Sequence, residues 1–262
     1  MRRLQRPEHG AALRLYREGA ARFPLVGAVL TDEQDGVVYA DSAAGPKHAY
    51  VEHAFGFAQL LGEPTPEFEA ALERHLLIEK RFSAPKVRLY TPHLPSFLEE
   101  PDRDGLRSWR QRFVMDPANF RGADGSSGVD GFPERDVVEV DAANVEACEQ
   151  AFGVTRRFWR SAADFVAKAN AVVVMNGGEP ASICYAAALV DGEAEIDVFT
   201  RPGHQRLGLG KIAVTHFVKR CFERGLAPLW DCFANNMASM ELSRSIGFSP
   251  KGQPYPFFTI NK

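Results

Sequence analysis

Apolar positions early in the chain recur at helical spacing in two places. Ala12, Leu15 and Tyr16 mark a helix over 7–20, and Phe68, Leu72, Leu76 and Leu77, behind Pro66 at a first helical position, mark one over 66–81. Between them, 26–30 and 37–40 read as short strands around the polar turn Asp32-Glu33-Gln34-Asp35-Gly36. The aromatic and small residues of 49–61 fit strand or helix equally. A strand at 86–90, a helix over 95–109 and a strand around Phe113 complete this half.

The second half is more sharply patterned. A strand at 136–140 leads into helices at 142–152 and 161–169, the latter with Ser161 as N-cap and Asp164 three residues on, a relative of the capping box. Apolar runs at 171–175, 181–190 and 194–200 are joined by Asn176-Gly177-Gly178-Glu179-Pro180 and Asp191-Gly192-Glu193, which predicts an antiparallel meander. The helix over 209–224 buries Ala213, Val214, Phe217, Val218 and Cys221, and ends before Gly225 and Pro228. A strand at 229–233 follows, then a helix capped by Asn236 and stopped by Gly247, and a tail through Phe258 and Ile260 that should complete this sheet. The class is α/β with a mixed sheet. The glycine-rich polar run 121–131 reads as a linker, giving an N-terminal α/β domain over 1–120, a linker at 121–133 and a second domain over 134–262.

Composition narrows the function. At 262 residues, 45% apolar and 25% charged, the chain can bury a large core. A net charge of -3 leaves no electrostatic footprint for nucleic acid. The basic start Met1-Arg2-Arg3 is followed by no signal-like apolar stretch, and no membrane-length apolar run occurs, so a cytoplasmic location without membrane partners is the expectation. Cys148, Cys184, Cys221 and Cys232 lie far apart and read as free thiols, with no metal-ligand spacing among them or among His48, His53, His75 and His93.

The chemistry concentrates at Gln205-Arg206-Leu207-Gly208-Leu209-Gly210-Lys211, between the strand at 194–200 and a long helix. A strand that turns through glycines into a helix aims several backbone N–H groups at one point, at the positive end of the helix dipole. That is an anion cradle. A P-loop would need glycine where Gln205 stands and Ser or Thr where Ile212 stands. A Rossmann fingerprint needs its first glycine directly after the strand, but Arg201 to Leu207 intervene.

The run from Thr200 to Gly210, with Pro202 three residues ahead of Gln205-x-x-Gly208-x-Gly210, resembles the acetyl-CoA-binding motif of the GNAT N-acetyltransferases. Asn236, Ser239, Leu242 and Gly247-Phe248 fall where that superfamily carries similar residues, and the segment from about Trp159 to Phe248 looks like the zwittermicin A resistance type. The resemblance implies a C-terminal GNAT acyl-CoA N-acyltransferase fold and transfer of acetyl from acetyl-CoA to an amine, with a small-molecule acceptor favoured over a protein lysine. The first half is then either a degenerate GNAT-like repeat lacking the glycine loop or an unrelated α/β cap that shapes the acceptor pocket.

Roles follow from the same resemblance. Backbone groups of Arg206, Leu207, Gly208, Leu209, Gly210 and Lys211, with Gln205 beside them, would hold the pyrophosphate, while Val198 and Thr200 would meet pantetheine. The Val198 amide is the candidate donor to the thioester oxygen. Glu193, Glu195 and Asp197 alternate along one strand and so share a face, either as a solvated surface or as an acid cluster that attracts a cationic amine. Glu195 sits seven residues before Pro202, the family's place for a glutamate, and is the candidate general base, with Asp197 second. Asn236 and Ser239 would orient CoA. Ser243 stands where many members carry a tyrosine acid, which leaves Tyr185, Tyr255 or water to protonate the thiolate, and leaves open a CoA-binding module without turnover or a longer acyl group.

Overall fold

The computed structural model describes residues 1–91, 93–122 and 137–262. They form two compact units, Met1–Arg110 with Tyr255–Lys262, and Gln111–Pro254.

The first unit runs β1 (Arg2–Arg3), α1 (His9–Glu18), α2 (Pro24–Leu30), β2 (Gly36–Ala40), β3 (His48–His53), β4 (Phe57–Gly62), α3 (Pro66–Glu73), β5 (Lys86–Tyr90), α4 (Ser96–Glu99) and the first half of β6 (Arg107–Val114). α3 continues through a π turn, Arg74–Ile78. The strand order is β1-β2-β3-β4-β5, then β13 (Tyr255–Asn261), then Arg107–Arg110 of β6. β2, β3 and β4 are antiparallel neighbours, and β5 lies parallel to β4. Phe68, Leu72 and Leu76 of the helix pack on Tyr50, Leu60 and Leu89, all buried.

Four expectations change here. Residues 26–30 are helical, part of α2, whose residues are all buried; an apolar run with no polar face carries neither period, and Pro24 starts the helix. The stretch 49–61 is the hairpin of β3 and β4, turning at Gly56, whose φ is +85°. The helix over 95–109 shrinks to α4 and a 3-10 turn at Pro101–Leu106, after which the chain is already β6. The tail pairs as β13 with β5 and the first half of β6, so it completes the first unit's sheet. Alternation shows that a segment is a strand but not which edge it joins. The division accordingly runs through β6, ahead of the 121–133 run, of which 123–133 lies outside the described residues.

His53, 1% exposed, shows how tightly the first unit is closed. Its Nδ1 accepts from the Phe55 amide at 2.9 Å, which leaves the proton on Nε2, 3.1 Å from Gln34 Oε1. Burial pushes its pKa down from 6.5 to about 4. A depressed histidine stabilises the fold only while neutral, so its contribution is complete above 6.5 and is lost as pH falls toward 4. We expect the first unit to lose about 2 kcal/mol from this group between pH 7 and pH 5 in urea titrations. The His53 ring proton signals should stay those of the neutral form over that range, and a midpoint near 6.5 would refute the assignment.

The second unit holds the rest of β6, then β7 (Val137–Glu139), α5 (Val145–Phe152), α6 (Ala162–Lys168), β8 (Val172–Asn176), β9 (Glu179–Val190), β10 (Glu193–Thr200), α7 (Leu209–Glu223), β11 (Ala227–Phe233), α8 (Met237–Ile246) and β12 (Ser249–Pro250). Strand order is β6-β11-β10-β9-β8-β7, with β12 on β6. Ser161 caps α6 by accepting the Asp164 amide, as its spacing predicts. α7 buries Leu209, Ala213, Phe217 and Cys221 against Val174, Cys184, Ala186 and Ala194 of the meander. Gly247 ends α8 at φ +113°, where a Cβ would strike the Asn119 carbonyl oxygen at 2.0 Å.

Both units repeat one order: three antiparallel strands, a helix, and a strand parallel to the third. In the first unit the helix start is closed differently. The Thr65 hydroxyl accepts the Phe68 amide and Pro66 removes another donor, so no cradle of amides forms. Among the described residues no helix is long and apolar enough to cross a membrane.

Candidate functional site

β10 and β11 pair in parallel only from Glu193↔Ala227 to Glu195↔Leu229. Both strands continue beyond that point, β10 to Thr200 and β11 to Phe233, without pairing to each other. Arg201 N donates to Ala181 O, so Arg201 and Ala181 form a hydrogen-bonded pair on the β9 side. By antiparallel alternation Phe199 and Asp197 also turn their backbone groups to β9, whereas Val198 and Thr200 turn theirs to the opening beside β11. The opening therefore presents the backbone of the two residues that the resemblance associates with pantetheine.

At the end of β10 the chain turns into α7. Arg206 at φ +63° and Gly208 at φ +79° reverse its direction. The Lys211 and Ile212 amides both bond to the Gly208 carbonyl, while those of Arg206, Leu207, Gly208, Leu209 and Gly210 have no hydrogen-bond partner among the described residues. A Cβ on Gly208 would meet nothing within 4 Å, so the turn is open on that side. Gly210 is closer packed: a Cβ there would lie 3.3 Å from Thr200 Oγ1. Neither Arg206 nor Lys211 is in an ion pair among the described residues, so two cations flank the amides. Together they fit a pyrophosphate. The Gln205 side-chain amide donates to the Thr200 carbonyl at 3.2 Å, tying the loop to the strand and leaving the Thr200 amide as that residue's open backbone group.

The acids of β10 differ among themselves. Glu195 is 6% exposed, which excludes a solvated face for it. Asp197 Oδ2 accepts from the Tyr185 hydroxyl at 2.6 Å and lies 3.3 Å from Arg157. Burial and that carboxylate push the Tyr185 pKa well above its ordinary value, so its proton is held firmly and is spent on Asp197. A bulge opposite Glu195 and Ile196 leaves Ala187 of β9 as the extra residue. Beside it, the Ala186 carbonyl accepts the Trp159 indole and its amide donates to Ala169. Arg157 and the bulge carry no local sequence signal; only the β9 register brings Tyr185 to Asp197.

On α8, Asn236 caps the helix by accepting the Ser239 amide at 3.1 Å, and the Ser239 hydroxyl accepts the Trp230 indole at 3.1 Å. Both side chains thus fix α8 to its own start and to β11. Ser243 is fully buried and donates to the Met240 carbonyl at 2.9 Å. All four cysteines are buried and in no disulfide; burial raises Cys221 to about 12 and Cys148 to about 11, leaving these two thiols protonated and unreactive at neutral pH.

A family model described as GNAT acetyltransferase matches residues 21–258. The chain belongs to the GNAT acetyltransferase family. The match takes in both units, wider than the C-terminal half in which the motif is legible. The uncharacterized N-acetyltransferase YdfB of Bacillus subtilis is 25% identical over 232 residues, covering 86% of this chain and 85% of that protein. A GCN5-related N-acetyltransferase-like protein of Streptococcus suis shares the fold with a TM-score of 0.72 at 20% identity, over 98% of this chain and 99% of that one. A tandem GNAT protein from the clavulanic acid biosynthesis pathway aligns at a TM-score of 0.63 and 12% identity, over 99% and 97% of the two chains. This GNAT protein is an N-acetyltransferase, of a family that generally uses acetyl-CoA as cosubstrate.

Proposed function

We propose that this GNAT enzyme transfers acetyl from acetyl-CoA to the primary amine of a small molecule, by direct attack within a ternary complex. The observation that carries the reading is the opening between β10 and β11, which leads from the Val198 backbone to the unpartnered amides of 206–210. Acetyl-CoA supplies an acyl carbon activated as a thioester. In the proposed reaction the Val198 amide donates to the thioester oxygen as charge develops there, a contribution of about 3 kcal/mol for such a donor. Glu195 takes the proton of the incoming ammonium through a water. As the nitrogen bonds to the acyl carbon it becomes cationic and gives its second proton to solvent, the C–S bond breaks, and solvent protonates the thiolate, since the Ser243 and Tyr185 hydroxyls are both spent inside the fold. Asp197, held by Tyr185 and Arg157, keeps the strand's acid face in place. The preference for a small amine rests on the likeness of residues 159–248 to zwittermicin A resistance-type acetyltransferases.

Calorimetric titration of acetyl-CoA into the wild type and Gly208→Trp tests the cradle. The indole adds bulk at the turn that carries the amides, and we expect affinity to fall by about tenfold or more. No binding to the wild type removes the reading. The buried Ser243 favours a second one, a CoA-binding module without turnover. A CoA-release screen over small amines separates the two, because such a module binds acetyl-CoA yet frees no CoA with any amine.

A further inference from the structure

We propose that the first unit carries a ligand site of its own, a groove between α3 and β2 that takes a small linear zwitterion such as an ω-amino acid or a dipeptide. A cavity of about 430 Å³ lies there, within the range of small-molecule sites, lined by Tyr39, Glu67, Ala70, Ala71, Arg74 and His75. Ala70 and Ala71 leave room that longer side chains would fill. Glu67 and Arg74 stand at opposite ends of this gap, seven residues and so about 10 Å apart along the helix. Neither is in an ion pair among the described residues. Glu79 and Arg81 also reach the cavity, but they pair with each other at 3.0 Å.

His75 lies at the inner wall of the groove. It is 6% exposed, its ring lies 5.0 Å from Tyr39 and 5.8 Å from Tyr50, and its Nε2 is buried with no hydrogen-bond partner. Buried polar atoms left unmatched in native proteins are few. The π turn Arg74–Ile78 begins at this point, and such turns gather at functional sites. Burial holds the imidazole neutral, so it adds no charge to the groove. A simple anion would meet Glu67, and a simple cation would meet Arg74. A zwitterion matches both ends, with its ammonium on Glu67 and its carboxylate on Arg74.

Titration of the full chain with 6-aminohexanoate, hexanoate and hexylamine tests this, read as NMR shifts at Ala70, Ala71 and His75, away from α7. We expect 6-aminohexanoate to bind about tenfold or more tightly than either single-charge probe. Glu67→Gln should bring it down to the level of hexanoate, and Arg74→Gln to that of hexylamine. Both are exposed positions, so folding is retained. The proposal is overturned if either single-charge probe binds as well as the zwitterion, if 6-aminohexanoate shows no saturable shifts up to about 10 mM, or if neither variant alters the preference. Acetyl-CoA binding to α7 does not enter the readout, so this site and the proposed transferase activity fail independently.

Discussion

Glu195→Gln is expected to lower kcat by about 10³-fold with the amine that releases CoA most readily, while the dissociation constant for acetyl-CoA stays within about twofold. Glu195 sits where β10 leaves β11, three residues before the Val198 amide, and it is buried. An amine arrives at neutral pH as an ammonium ion, and its nitrogen attacks only after losing a proton. Glutamine keeps the shape but takes no proton, so the loss falls on kcat. The deficit should narrow as pH rises toward the pKa of the amine, because more acceptor then arrives already deprotonated. Asp197→Asn should cost far less: its carboxylate is already engaged by Tyr185 and Arg157, and its loss loosens the site without removing the base. Near-normal turnover in Glu195→Gln with a crippled Asp197→Asn would transfer the role to Asp197.

Phe217→Ala is expected to destabilise the second unit by about 4 kcal/mol and to lower its melting temperature by about 10 °C. Phe217 is fully buried at the middle of α7, in the cluster that includes Val174, Cys184, Ala186 and Ala194. The meander strands supporting it are paired on both sides and cannot collapse inward, so the cavity persists and adds to the lost transfer free energy. Leu207→Ala, at an exposed residue of the preceding turn, should change stability by less than about 0.5 kcal/mol. Urea titration of both variants checks the pair. A cost below about 1 kcal/mol for Phe217 would mean that α7 is not anchored by this ring.

The second unit was legible because its signals are local and redundant. The meander has glycine turns at 177–178 and 192, α7 ends at Gly225, and α8 lies between Asn236 and Gly247, so each boundary had its own residue. The amide cradle followed from Gly208 and Gly210 in the same way. What escaped depends on partners distant in sequence. The all-buried residues of α2 carry no period, and β13 reaches β5 across the whole second unit. The engagement of Asp197 comes from the β9 register, and that of Ser239 from the Trp230 indole. Glu193, Glu195 and Asp197 alternate alike on paper; burial and neighbours set them apart only in the fold.

The pairing of β13 with β5 also bears on how the chain emerges from the ribosome. Residues 255–261 are made only after the entire second unit, so the edge of β5 lacks its β13 partner throughout that synthesis. Such an edge, with Leu89 and Val87 beneath it, is a template for wrong strands from neighbouring chains. The first unit can therefore complete its sheet only once the whole second unit has been synthesised.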